Sequence, residues 1–434
     1  MKKANKIFYG AGDNARKNLA RWIKEIGEPV CFADMDSRKW GKYFSVSSEL
    51  EISLGGGYEV TSLTDAINEY PDYELWLTLA PVNLSSATEQ LIERGVPKER
   101  IHYCEDVEYR RGCRLLGEYI ALSDNSIKPC CTQYGKVIPY NDKVHSEESV
   151  RHCIGEFRQW LNKTLALMRT DAETDCDNCS LLKLGYYPKN PKIKWLNAGS
   201  GFANTICNCR CIYCAQRTIF DGSDQILDGY EIHRILSDEF GASIEWAALA
   251  DGEITVLPHR DKLLNLIKER GWGAGICTNA LIYNDDVAEI LGRPLSVLNV
   301  SLDAGTAETY RKVKGVNVFS KVVANLEKYA ESKGRILLKY ILLPGVNDSF
   351  DDVNGFIKIA VSLKVERVLL SHDMCNISKT SESVDSLTNI TEQQYAMYAY
   401  FVARCKEAGL TVCYVVDCFS ASDCLRMNNL CEGI

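Results

Sequence analysis

From residue 192 onward the chain repeats one rhythm: a short apolar strand, a polar loop, an amphipathic helix, and then the same again. The strand segments are "IKWLNAGSG", "IEWAALADG", "GAGICTNA", "LSVLNVSLDA", "RILLKYILLPG", "ERVLLSHDM" and "LTVCYVVDC". Helical patterns such as "DKLLNLIKERG", "DDVAEILGR", "FSKVVANLEKYAESKG" and "SFDDVNGFIKIAVSLK" separate them. Strands that alternate with helices must pair in parallel, because each helix carries the chain back to the starting edge. Six or seven such units predict an α/β protein built on a partial (β/α)6 barrel, whose site lies at the C-terminal ends of the strands.

The N-terminal segment "KIFYGAGDNARKNLARWIKEIGEPVCFADMD" reads as strand, glycine turn, amphipathic helix and second strand, a Rossmann-like βαβ unit. Gly10 and Gly12, with Ala15 in third place, match G-x-G-x-x-A, and Asp34 or Asp36 follows about 20 residues on, where a ribose hydroxyl would be met. A bound nucleotide and a degenerate fold without one both fit so short a match. At about residue 115 regular alternation gives way to the turn-rich "DNSIKPCCTQYGKVIPYND". The expected organisation is a Rossmann-like domain over 1–115, a cysteine-bearing module over 116–190, and the barrel with a cysteine tail over 191–434.

A net charge of −8 gives no basic footprint for nucleic acid and would repel an anionic bilayer. No apolar run reaches membrane-spanning length, and "MKKANKIFYGAG" lacks the apolar core of a signal peptide, so the cytoplasm is expected. In such a reducing compartment nineteen cysteines call for metal wherever they cluster. They cluster most densely in "CNCRCIYC", Cys207 to Cys214. Cys207, Cys211 and Cys214 have the spacing C-x-x-x-C-x-x-C just after the first barrel strand. Three thiolates on a [4Fe-4S] cubane leave one iron open to a small chelating molecule, whereas structural zinc closes all four positions, usually with two separated pairs. Cys209 offers the alternative register C-x-C-x-x-C, with a shorter first arm. Cys176 and Cys179 form a C-x-x-C that, with Cys130 and Cys131, makes a second four-thiol set for zinc or iron and sulfur.

Taken with the cysteine loop, the ordered segments "ADGEIT", "CTNA", "VSLDAGTAETYRKVKG" and "LKYILLPGVND" resemble those of radical S-adenosylmethionine (radical SAM) enzymes over residues 192 to 375. The resemblance implies a [4Fe-4S] cluster on Cys207, Cys211 and Cys214, and SAM chelated to its open iron. Reduction then splits the sulfonium to methionine and a 5′-deoxyadenosyl radical, which takes hydrogen from an unactivated carbon. It places Glu253 at the SAM amino group, although Asp251 and Ile254 depart from the usual glycine and proline. It puts Asn279 in the family's Thr-Asn-Gly segment, and Ser301 and Asp303 near the ribose. Arg311 becomes a candidate for the SAM carboxylate, Lys339 and Asn347 neighbours of the adenine, and Tyr213 a backbone contact to the adenine edge. A flavodoxin or ferredoxin would supply the electron.

"IKPCCTQYGKVIPYND" with "TDCDNC" resembles part of the SPASM domain, which holds auxiliary clusters, although that module usually follows the barrel. Cys418, Cys424 and Cys431 would join Cys176 and Cys179 if the C-terminus returns to them, and Cys375 would be a ligand or a hydrogen-atom donor. The N-terminal passage through "KWGKY" resembles nucleotide-fold domains of sugar-modifying enzymes, so a carbohydrate or nucleotide-linked small molecule is the expected substrate. Modification of a ribosomally made peptide is the second reading, and a non-catalytic zinc or iron–sulfur scaffold comes from a different class. A nicotinamide oxidoreductase built on Gly10 and Gly12 leaves the cysteine loop unexplained.

Overall fold

The structure, a computed structural model, describes residues 4–44, 57–122, 126–130, 138–139, 146–177, 179, 181–199, 206–214, 227–332, 334–365, 367–373, 390–415, 419 and 421–431. In chain order the first elements are β1 (Asn5–Tyr9), α1 (Asp13–Ile26), β2 (Cys31–Ala33), β3 (Lys42–Phe44), β4 (Tyr58–Thr61), α2 (Leu63–Glu69), β5 (Tyr73–Leu77), α3 (Pro81–Glu93), β6 (Ile101–Tyr103) and β7 (Val107–Gly112). Next come β8 (Tyr119–Leu122), β9 (Ser126–Lys128), β10 (Ile138–Pro139), α4 (Glu147–Arg169), β11 (Lys183–Pro188) and β12 (Trp195–Asn197). The remainder is α5 (Gly229–Phe240), β13 (Trp246–Leu249), α6 (Arg260–Arg270), β14 (Gly273–Thr278), α7 (Asp285–Leu291), β15 (Val297–Ser301), α8 (Ala307–Lys314), α9 (Phe319–Glu331), β16 (Arg335–Leu342), α10 (Phe350–Ser362), β17 (Arg367–His372), α11 (Glu392–Glu407), β18 (Thr411–Tyr414) and α12 (Ala421–Cys431).

The chain forms two compact units, one of residues 1–118, 132–136 and 159–192 and the other of 119–131, 137–158 and 193–434. The first holds a six-stranded sheet of order β3-β4-β2-β1-β5-β6, parallel except for β3. Helix α1 buries Ala15, Leu19 and Trp22, one stripe at helical spacing, against Phe8, Phe32 and Phe44 of the sheet. Strand order reverses between β1 and β5, so the glycine turn after β1 stands at the switch point where nucleotide folds open a crevice. An antiparallel pair, β7 with β11, completes this unit.

The second unit is the partial barrel that the sequence predicts. Its sheet runs β10-β9-β8-β12-β13-β14-β15-β16-β17-β18, with β12 to β18 parallel and in sequence order. The sequence reading missed the near edge: "YIAL" (β8) pairs in parallel with β12, and the Asn197 side chain donates to the Tyr119 hydroxyl at 2.8 Å. The pleat separates two faces. Ala247 and Leu249, Ala274 and Ile276, Leu298 and Val300, and Leu338 and Tyr340 are buried on the helix-covered face. The other face carries Trp246, Cys277, Asn299, Ser301 and Lys339, all half-buried, and lines the barrel interior. Trp246 lies across Gly275, where a Cβ would stand 2.2 Å from the indole, so the lower interior is filled. No helix among the described residues is long and apolar enough to cross a membrane.

Candidate active site

Four successive strands end in left-handed backbone: Gly199 after β12 (φ 68°), Asp251 after β13 (65°), Ala280 after β14 (57°) and Asp303 after β15 (54°). Non-glycine residues there cost about 1–3 kcal/mol each and concentrate where loops must turn sharply into a site. Gly199 has no choice, since a Cβ would lie 2.2 Å from the Asp251 carboxylate.

The cysteine loop is fastened to these strand ends through its backbone. Glu253 N–H donates to Ile206 O at 2.8 Å, Arg210 N–H to Lys314 O at 2.8 Å, and Ile212 N–H to Val313 O at 3.0 Å. Helix α8 ends on Gly315 in the left-handed region, and that glycine abuts Arg210, where a Cβ would meet the loop at 2.9 Å. Cys207 is exposed, Cys211 and Cys214 are half-buried, and Cys209 is buried between them. Hydrogen bonding from the Cys209 thiol pulls Cys207 down to about 7 against the opposing effect of burial. The same bond, helped by the Lys314 charge, pulls Cys211 down to about 6. The Cys209 thiol is driven far up in return, since it keeps the one proton held between the two neighbouring thiols.

Glu253, 1% exposed, is a junction. Its Oε1 accepts from the Thr255 hydroxyl at 2.7 Å, the Thr278 hydroxyl at 2.8 Å and Thr255 N–H at 3.2 Å, while Oε2 accepts from Asn279 N–H at 2.7 Å. A carboxylate has about four acceptor positions, so Glu253 has little left beyond the second lone pair of Oε2. Asn279 extends the junction, its Nδ2 donating to Asn208 Oδ1 at 2.6 Å and to Cys207 Sγ at 3.6 Å.

Asp303, fully buried, gathers a second junction. Oδ2 accepts from the Tyr213 hydroxyl at 2.6 Å and Lys314 Nζ at 2.5 Å, and Oδ1 accepts from Ile341 N–H at 2.8 Å. Lys314 Nζ also bonds the Tyr213 oxygen at 2.5 Å and lies 4.9 Å from that ring's centre. Burial, then the negative charge of Asp303, keeps the Tyr213 phenol protonated. Asn347 is buried and committed to backbone, donating to Asp303 O and Ile341 O and accepting from Leu343 N–H. Asp352 accepts from Gly305 and Thr306 N–H at 2.9 and 3.0 Å and from the Tyr340 hydroxyl at 2.8 Å, fixing the turn between β15 and α8. There Gly305 and Gly355 touch through their backbones: a Cβ on Gly305 would sit 1.8 Å from Asp352 O, and one on Gly355 2.4 Å from Gly305 O.

Of the residues the sequence singles out, Cys207, Tyr213, Glu253, Asn279, Asp303 and Asn347 meet in these two junctions, and Cys211 and Cys214 lie on the loop that runs between them. Ser301 and Lys339 face each other across β15 and β16 on the interior face. Lys339 has no hydrogen bond or ion pair among the described residues. Arg311 is exposed on α8, and the buried cation of that helix is Lys314. In the first unit, Cys176 and Cys179 close a turn with Cys179 N–H on Cys176 O at 3.1 Å. Beside Gly10 and Gly12, the Asp34 carboxylate accepts from Ala11 N–H at 2.7 Å, Asp36 N–H at 2.8 Å and Lys39 Nζ at 2.8 Å. Cys130, Cys424 and Cys431 belong to the second unit, whereas Cys131, Cys375 and Cys418 lie outside the described residues.

The sequence reading missed Lys314, Asp352 and Tyr310. Tyr310 is 1% exposed, and its hydroxyl has no hydrogen-bond partner among the described residues. Among those residues no three His, Cys, Asp or Glu side chains converge on one metal ion. The thiols of the loop, two of them drawn toward thiolate, and the orphaned phenol at α8 are a donor set that suits an iron–sulfur cluster, which spreads its cysteines over several irons.

Residues 204–357 match the Radical SAM superfamily. The chain is 26% identical over 161 residues to a GTP 3′,8-cyclase of Clostridium perfringens strain SM101, spanning 36% of this chain and 48% of that relative. It is 25% identical over 154 residues to a probable GTP 3′,8-cyclase of Pyrococcus abyssi, spanning 36% of this chain and 49% of the relative. The chain therefore spans about half the length of the curated relatives it matches. Among solved structures it is similar to Streptococcus suis SuiB bound to S-adenosylmethionine, with a TM-score of 0.40 and 14% identity over 62% of this chain and 56% of that one. The loop of three spaced cysteines, the strand ends that hold it and the superfamily match over the same residues make one assignment: residues 204–357 carry a Radical SAM domain.

Proposed function

We propose that the chain reductively cleaves SAM at a [4Fe-4S] cluster held by Cys207, Cys211 and Cys214, and acts on a small molecule that bears an anionic group, of the nucleotide or nucleotide-linked class. When bound, cluster and SAM supply a 5′-deoxyadenosyl radical that removes hydrogen from an unactivated carbon. The chain's part is to fix the loop, exclude water and orient the substrate. Asp303 and Lys314 hold the loop through Tyr213, and Glu253 and Asn279 hold it through Ile206 and Asn208. The observation that carries the reading is the cysteine loop bonded backbone to backbone to the ends of β13 and α8.

Lys339 supports the substrate class. It is a half-buried ammonium on the interior face, opposite Ser301 and uncommitted among the described residues, so an anionic substrate group would relieve its partial desolvation. The matched relatives are named for GTP, which makes a purine nucleotide the first probe. A flavodoxin or ferredoxin would deliver the electron. Cys130, Cys131, Cys176, Cys179, Cys418, Cys424 and Cys431 are the candidates for an auxiliary cluster, and Gly10 and Gly12 for a nucleotide site in the first unit.

Anaerobic reconstitution followed by iron and sulfide analysis tests this, with about four irons per chain expected for one cluster and about eight for two. Dithionite and SAM should then yield 5′-deoxyadenosine, and GTP or a nucleotide sugar should raise that yield and lose a hydrogen. Zinc without sulfide would overturn the reading, and stimulation by a peptide alone would favour the peptide-modifying alternative.

A further inference from the structure

Tyr310 stands one turn before Lys314 on α8, on the helix face turned to the cysteine loop, since Lys314 itself reaches Tyr213 there. Its ring packs at 5.3 Å from that of Phe319. The hydroxyl is buried and unpartnered among the described residues, although Lys314, on the same face, has both Asp303 and Tyr213. Such an orphan is unfavourable, and a bound group, ion or water is among the things that complete one. Burial raises the phenol's pKa first, and the charges of Cys209, Cys211, Asp303 and Glu253 add to it, so the hydroxyl keeps its proton.

We propose that Tyr310 donates its hydroxyl hydrogen bond to a sulfur of the [4Fe-4S] cluster and so raises the cluster's reduction potential. This rests on Cys207, Cys211 and Cys214 being the cluster ligands. Reduction adds one negative charge, part of which falls on the sulfurs, so a fixed donor stabilises the reduced form more than the oxidised form. Because the site is buried, the difference is less screened than at a surface. Tyr310 is then a residue that tunes the first electron transfer while the cysteines hold the iron.

Tyr310→Phe keeps the ring against Phe319 and removes an oxygen that has no partner among the described residues. The apo-protein should therefore melt at the same temperature or higher. After reconstitution, iron and sulfide per chain should equal wild type. A redox titration without SAM, followed by the EPR signal of the reduced cluster, should show the midpoint moved to more negative potential. Electron–nuclear double resonance in H2O against D2O should lose one exchangeable proton coupling. Phe319→Leu, which loosens the ring and keeps the donor, should leave the midpoint where it was. An equal midpoint in Tyr310→Phe at full iron content overturns the proposal, as does an equal shift in Phe319→Leu. Loss of iron from a Tyr310→Phe chain whose apo-form melts normally also overturns it, because the hydroxyl would then hold the cluster rather than tune it. Absence of iron and sulfide from wild type would instead overturn the cluster assignment on which the proposal stands.

Discussion

Asp34 in the first unit and Asp303 in the second occupy like places, just past the C-terminal end of a parallel strand, and each accepts three protein hydrogen bonds. Asp34 draws its partners from Ala11, Asp36 and Lys39, all within the glycine turn and its own loop. Asp303 draws from Tyr213, Lys314 and Ile341, three segments far apart in sequence, and is wholly buried. The first carboxylate is spent on closing a turn, at the position where a nucleotide fold would meet a ribose. The second fixes a loop whose thiols stay available. Equal hydrogen-bond counts therefore conceal unequal duties, and what separates them is whether the donors are local or gathered from across the fold.

The largest effect expected from breaking this contrast lies at the thiols. Cys211→Ser should lower SAM cleavage by more than about 100-fold, beyond the loss usual for outer-shell changes at metal sites, while circular dichroism stays that of the folded chain. Retained 5′-deoxyadenosine formation would remove the functional half of the comparison. Next is the buried pair: Lys314→Met leaves Asp303 charged and uncompensated, and should cost about 3–5 kcal/mol in urea denaturation. The double change Lys314→Met with Asp303→Leu should recover part of that, as apolar replacement of a buried pair often does. Glu253→Ala orphans the Thr278 hydroxyl and Asn279 N–H, and should cost about 2–3 kcal/mol together with a measurable fall in SAM affinity by calorimetry. Smallest is Asp34→Ala, about 1 kcal/mol by thermal melting, with iron content unchanged. A loss from Asp34→Ala as large as that from Lys314→Met would erase the distinction between a local and a long-range carboxylate.

How much could be read from the sequence follows the same line. The alternation of strands and helices is a local periodicity, so all seven barrel strands were legible. The cysteine loop was legible because its three spaced thiols sit within one short stretch. Lys314 was not, because "YRKVKG" reads as a solvated basic face: only the docking of α8 distinguishes the exposed Arg311 and Lys312 from the buried lysine two residues on. Tyr310 and Asp352 were hidden for the same reason, since a tyrosine in a helix and an acid in its first turn have ordinary meanings until a partner, or the lack of one, is seen. The edge strand β8 was lost in a turn-rich passage because its four residues find their pattern only beside β12.

The contact between Gly305 and Gly355 ties the helix that carries Tyr310 and Lys314 to α10 with no side chain between them. A single added methyl group at either glycine would wedge those helices apart and tilt the platform beneath the cysteines without touching any of them. Such a change would yield a heat-sensitive protein, intact in the cool and failing when warmed, whose defect traces to a backbone contact rather than to any thiol.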